Sequence, residues 1–329
     1  MEEQNRSQEL PREDSSSQKT KKKNRVIHLT PTSLVLATYL LLLLSKIIDI
    51  TLLTRENEYY STVLLQMMIF LLPAAIWCRF SGERYIRGLR LRLPKATTIP
   101  LMLSAAMVLI SGSLLISFLF GGLGSLSGSF TLYDTFTSNH NGTVTNGIYL
   151  LLAYAVLPAI CEEFVFRGIL CFEYERGGVL RAIVLSSLFF SLLHFNLRNL
   201  PVYLFSGIVL ALTLYATRSL FGAMLTHFLY NVFGLFGQPY MNTLYRITGS
   251  KALFLILVVL CFFGSAALFC GFASRLYRGY LYRAESAEYR KPRKGDEQDV
   301  LQSYLSVIKE PTTIACFAVY LLALVVALF

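Results

Sequence analysis

Along most of the chain, apolar residues come in long runs broken by short polar or basic stretches and by Gly and Pro. Runs of about 17–25 apolar residues match the hydrocarbon thickness of a bilayer when wound as helices. They fall near residues 29–53, 60–78, 99–122, 147–170, 181–196, 200–217, 219–236, 252–274 and 312–329, with the softest boundaries between 181 and 236. A membrane β-barrel would instead alternate with period two in pieces of about ten residues. The pattern therefore predicts an all-α polytopic membrane helix bundle of about eight or nine transmembrane helices. Residues 1–28 are polar, mixed in charge and too poor in apolar groups to order themselves, so they read as a tail. The organisation expected is a tail at 1–28, a transmembrane domain at 29–275, a basic segment at 276–311 and a last helix at 312–329. The basic segment fits an interfacial amphipathic helix and a plain linker equally well.

Composition supports the membrane reading: 54% of residues are hydrophobic and 15% charged, with a mean hydropathy of +0.54. The net charge of +10 would suit a nucleic-acid partner, but its distribution argues against one. Lys21, Lys22, Lys23 and Arg25 precede the first span, Arg79 to Lys95 follow the second, and Arg290, Lys291, Arg293 and Lys294 precede the last, while 123–146 has no Lys or Arg. This is a topology signal that puts the N-terminus, the 79–98 loop and the 275–311 segment on the cytoplasmic side, and it also suits a weak contact with anionic lipid. An integral, multi-pass protein of the cell (plasma) membrane is expected, without nucleic acid. The first span is too long for a cleavable signal and reads as a retained anchor. The six cysteines lie in or beside apolar spans without metal or redox spacing and read as small buried hydrophobes. The sequon at Asn141 lies in a loop predicted outside.

Against this background, "LPAICEEFVFRGIL" at 157–170 stands out, because an unpaired charge in a span costs at least about 2.5–3.5 kcal/mol. The other polar groups at depth are His194, His227, Asn231, Asn196, Lys46 and Asp49. Lys46 and Asp49 sit near the end of the first span and are assigned no chemistry. Residues four apart share a helix face, so Glu163 can pair with Arg167, and His227 lies beside Asn231. Glu162 points about 100° away from its neighbour and stays available. A carboxylate shielded from bulk water is a strong base toward a bound water, the more so beside an imidazole. Glu162 is thus the candidate general base, with His194 helping to hold and activate the water. His227 and Asn231 are placed to donate to the oxyanion of an attacked amide, and the Glu163–Arg167 pair to stiffen the first helix.

Blander readings exist for each residue: a structural clamp for Glu163–Arg167, interhelical hydrogen bonds for the histidines, packing for Asn231, and core for Phe190. It is the occurrence of such groups on three successive helices that favours a site. Depth is a tension. At about 1.5 Å per residue, Glu162 and His227 fall roughly 12 Å inside their spans, but His194 falls near 20 Å if its helix starts at Arg181; Pro158 is the expected kink.

Taken in order, "EEFVFR", "FSLLH" and "HFLYN" give Glu-Glu-x-x-x-Arg, Phe-x-x-x-His and His-x-x-x-Asn. The set resembles the three motifs of the CAAX-processing and bacteriocin-processing (CPBP, Abi) intramembrane endopeptidases, related to the Rce1-type CAAX protease, over roughly residues 147–237. The resemblance implies a glutamate-dependent endopeptidase with Glu162 and His194 activating water, His227 and Asn231 stabilising the oxyanion, and Glu163, Arg167 and Phe190 in support. It implies protein or peptide substrates, prenylated ones among them, met within the lipid. The family's older label is metalloprotease, but the residues lack the His-Glu-x-x-His zinc pair. A metal-free mechanism without a cofactor is therefore favoured, Glu162, His194 and His227 being the ligands if a divalent metal is present. A rhomboid-type serine site and a two-aspartate site find no matching residues, and a thiol nucleophile at Cys161 is disfavoured by its apolar surroundings. The alternatives from other classes are a bacteriocin immunity or scaffold factor and a proton-coupled transporter.

Overall fold

In the computed structural model of the protein, residues 30–47, 63–121, 144–283 and 300–326 are described, and every regular element among them is helical. The tail at 1–28, Asp49 and the Asn141 sequon lie outside the described residues. Five helices are long and apolar enough to cross a membrane: α2 (Val63–Ser81), α4 (Ile99–Gly121), α5 (Gly147–Gly177), α7 (Leu200–Thr217) and α10 (Lys251–Arg283). Between α2 and α4 lies the short α3 (Glu83–Gly88). Two bent pairs, α8 (Leu220–Phe236) with α9 (Gln238–Thr248) and α11 (Val300–Ile308) with α12 (Pro311–Val326), bring the count to as many as seven if each pair is one span. Two shorter apolar helices, α1 (Pro31–Ile47) and α6 (Val179–Leu193), complete the set. Among the described residues each apolar window of the sequence holds a helix, and the protein is an integral membrane helix bundle.

The hairpin of α5 and α6 resolves the depth tension. α5 does not end near residue 170 but runs on to Gly177, and the chain reverses at Gly178, whose φ of 109° suits a residue without Cβ. Glu162 and His194 then stand the same number of residues from the turn, about 22 Å along each helix. His194 itself caps the carboxyl end of α6. Phe195 follows with φ 46°, an uncommon backbone for so bulky a residue. Its ring is gripped by Tyr39 of α1 and Tyr320 of α12 at centroid distances of 5.7 and 6.2 Å.

The irregularity expected at Pro158 takes the form of two π-helical stretches, Leu152–Val156 and Phe164–Leu170, on either side of an α-helical piece at Leu157–Glu163. Proline donates no backbone hydrogen bond, and the widened turn before it accommodates the missing rung. Both glutamates therefore sit between two π segments.

Packing gathers the three motif-bearing helices. One buried cluster joins α1, α2, α5, α6, α7, α8 and α12 through residues such as Tyr39, Phe166, Leu170, Phe189, Leu214 and Leu220, all at most 1% exposed. α4 and α10 close the other side with α7 through Leu101, Leu109, Leu210 and Phe269. α6 and α7 approach closely where Gly207 faces Ser187: a Cβ on Gly207 would lie 2.9 Å from the Ser187 Cα. A small residue at such a crossing is how membrane helices come together without a hydrophobic driving force. α1 and α12 both begin with proline and run side by side in the same direction. Thr32 donates to Glu310 at 2.7 Å, and Thr30 and Thr312 share a hydrogen bond of 3.1 Å.

Candidate active site

The centre of the site is Glu163, not exposed at all, on the α-helical piece of α5. Its Oε1 accepts from Arg167 Nη1 at 2.9 Å, the i,i+4 pair read from the sequence. The same oxygen accepts from His227 Nδ1 at 2.9 Å, across 64 residues of chain. An ionised carboxylate only accepts, so the shared proton is on Nδ1 and Nε2 is the remaining nitrogen of that ring. Arg167 is fixed further by donating Nη2 to the Gly207 carbonyl at 3.1 Å and by lying 4.2 Å over the Phe190 ring. The close helix crossing at Gly207 is what brings that carbonyl within reach. Buried charge is tolerated here because carboxylate, guanidinium, carbonyl and ring face compensate one another.

Phe190 is both core and wall. It is buried, packs edge-on against Phe166 at 5.5 Å, and has His194 and His227 against it at 5.0 and 6.0 Å. The two imidazoles are thus brought together around one aromatic ring. His194 is half-buried, with Nδ1 3.0 Å from the Phe190 carbonyl. A carbonyl accepts only, so this nitrogen also carries the proton and Nε2 is the bare one in the neutral ring. The opposite face of His194 lies on Tyr203 of α7, with centroids 3.7 Å apart and planes 14° from parallel.

Glu162 is half-buried and within electrostatic reach of His227, Glu163 and Arg167. Asn231, also half-buried, lies one turn beyond His227 on α8. Its neighbour Tyr230 donates to Ser113 of α4 at 2.8 Å, which pins that turn of α8. Asn196 falls in the turn between α6 and α7, where its side chain accepts from the Asn199 backbone N–H at 3.1 Å, a structural duty apart from the site.

Two features differ from the sequence expectation. His227 is held by Glu163, so the Glu163–Arg167 pair does more than stiffen α5: it aims an imidazole. A sequence offers no sign of this, since the partners lie on different helices at no fixed spacing. Tyr203 is likewise unannounced, an ordinary aromatic in an apolar run. Among the described residues, no group of three or more His, Cys, Asp or Glu side chains is placed to hold a metal ion. What the arrangement offers is a carboxylate, two oriented imidazoles and an amide, the equipment for moving a water proton and meeting developing negative charge.

No curated protein and no solved structure gives a significant match to this chain. Residues 144–233 match the sequence model of one family, described as type II CAAX prenyl endopeptidase Rce1-like. The matched segment runs from the start of α5 through α6 and α7 to Phe233 of α8, and so contains every residue of the site. This segment, 90 of the chain's 329 residues, is similar to the Rce1-like CAAX prenyl endopeptidases.

Proposed function

We propose that the chain is an intramembrane endopeptidase in which Glu162 and His194 activate water against a peptide bond of a protein or peptide substrate, prenylated chains included. The observation that carries this reading is the pair of imidazoles set against Phe190, each oriented through a hydrogen bond at Nδ1, with Glu162 within electrostatic reach of His227. In the reaction, Glu162 accepts a proton from a water that His194 Nε2 helps to position. The water oxygen adds to the scissile carbonyl carbon as the C=O π electrons move to oxygen. The proton held on Glu162 passes to the leaving nitrogen as the C–N bond breaks.

The Asn231 amide donates to the oxyanion in every protonation state. His227 Nε2 donates to it only when the ring carries both protons, with Glu163 as counter-ion. Glu163, Arg167 and Phe190 support this by fixing ring orientation. A site within the spans suits a substrate whose lipid tail or own helix already lies in the bilayer.

Glu162→Ala, His194→Ala and His227→Ala are each expected to abolish cleavage while the protein still inserts and folds. Losing a positioned acid–base group typically costs about 10²–10⁴-fold. Membrane-protein termini compared between wild-type and Glu162→Ala cells identify the substrates, and assays with and without a lipid group on them read the lipid requirement. Cleavage that survives Glu162→Ala overturns the assignment.

A further inference from the structure

Residues 82–95 connect two membrane spans, α2 and α4, so this segment lies at a bilayer interface whichever way the bundle faces. Its inner side is fastened to the bundle. The Tyr85 hydroxyl accepts the Trp77 indole N–H at 3.0 Å, and its ring stands edge-on to Phe172 of α5 at 5.1 Å. Arg90, in the left-handed region with φ 55°, turns its carbonyl to the backbone N–H of Leu220, the first residue of α8, at 2.9 Å. Its guanidinium grips both oxygens of Glu175 near the end of α5 at 2.7 and 2.8 Å, and Tyr215 of α7 donates to the same carboxylate at 3.3 Å. The Arg92 carbonyl accepts the Ser219 hydroxyl, and that hydroxyl accepts from Gly222 N–H at 3.1 Å, capping α8. Residues 90–92 are therefore a strap on which α8, the helix of His227 and Asn231, begins.

The outer side of the same segment has a different character. Arg87, Arg92 and Lys95 are exposed, and Leu91 and Leu93 stand beside them at 40% and 80% exposure. In sequence the segment carries five basic residues against one acidic. Basic side chains attract phosphate-bearing headgroups, and apolar ones among them reach the acyl boundary. The flanking spans bring that boundary to this surface.

We propose that the outer side of 82–95 docks on anionic lipid headgroups and that this docking steadies the strap from which α8 and its site residues hang. The same residue serves both sides: the Arg92 side chain faces outward while its carbonyl holds the cap of α8. The test is backbone hydrogen exchange at Leu220, Gly222 and Ala223 in the full-length protein, in nanodiscs of phosphatidylcholine alone or mixed with phosphatidylglycerol. The anionic bilayer is expected to slow exchange at these amides about fivefold or more, roughly the effect of one basic residue near a charged surface. The combined R87Q/R92Q/K95Q variant loses the difference, whereas R87K/R92K keeps it. Equal exchange in the two bilayers overturns the proposal, as does slowing spread evenly over all helices or retained in the charge-removed variant. Slowing by soluble glycerol phosphate in the uncharged nanodisc, or only by an added acidic peptide, overturns lipid as the occupant. The readout needs no substrate, so its failure leaves the peptidase reading standing, and a failed cleavage assay leaves this one.

Discussion

The two histidine stations of the site are held by opposite means. His227 sits in the middle of a long helix and is oriented by a buried charge network, with Glu163 at its Nδ1 and Arg167, Gly207 and Phe190 behind. His194 sits at the carboxyl end of α6, where a backbone carbonyl and two aromatic rings orient it. The difference has an energetic meaning. A charge network in a low-dielectric interior is costly to break, because each survivor is left uncompensated, whereas a stacked ring adds a modest increment and fails gently. The His227 station should therefore be brittle and tied to folding, and the His194 station tunable with the fold intact.

The largest effect belongs to Glu163→Ala. Arg167 would be left buried without its carboxylate, at a cost of about 3–5 kcal/mol, read by chemical or thermal unfolding in detergent; unchanged stability would show that the network does not hold this station. Gly207→Ala comes next. Its methyl group would press on the Ser187 backbone and push away the carbonyl that Arg167 uses, for about 1–3 kcal/mol.

Tyr203→Ala is expected to leave unfolding nearly unchanged but to slow cleavage about two- to tenfold, the kinetic equivalent of a lost aromatic contact. Tyr203→Phe, which keeps the stack, should retain cleavage; a larger loss in the Phe variant would point to the hydroxyl instead. Smallest of all is Cys161→Ala. That thiol is fully buried on α5 next to Glu162, and cleavage should persist; its loss with intact folding would favour a thiol nucleophile.

What the sequence made legible follows from range. Apolar windows are local, and among the described residues each holds a helix. The Glu163–Arg167 pair is fixed by helical spacing and appears as read, at 2.9 Å. Contacts that depend on how helices cross were not legible, since no spacing encodes them: His227 on Glu163, Arg167 on the Gly207 carbonyl, Tyr203 on His194. The depth of His194 looked inconsistent because α5 was expected to stop near residue 170. The stretch that follows, "CFEYERG", is polar enough to look like a loop, yet Cys171 and Tyr174 are buried in the same cluster that holds the motif helices, and this carries the helix on to Gly177.

The side-by-side, same-direction pairing of the first and last helices also fixes where labels can go. With Thr30 and Thr32 joined to Thr312 and Glu310 at one end of the bundle, the start of α1 and the finish of α12 emerge at opposite ends. Reporter proteins fused before residue 31 and after residue 326 would then sample different compartments, so a pH-sensitive fluorophore at each terminus would read the two faces of the membrane from a single polypeptide.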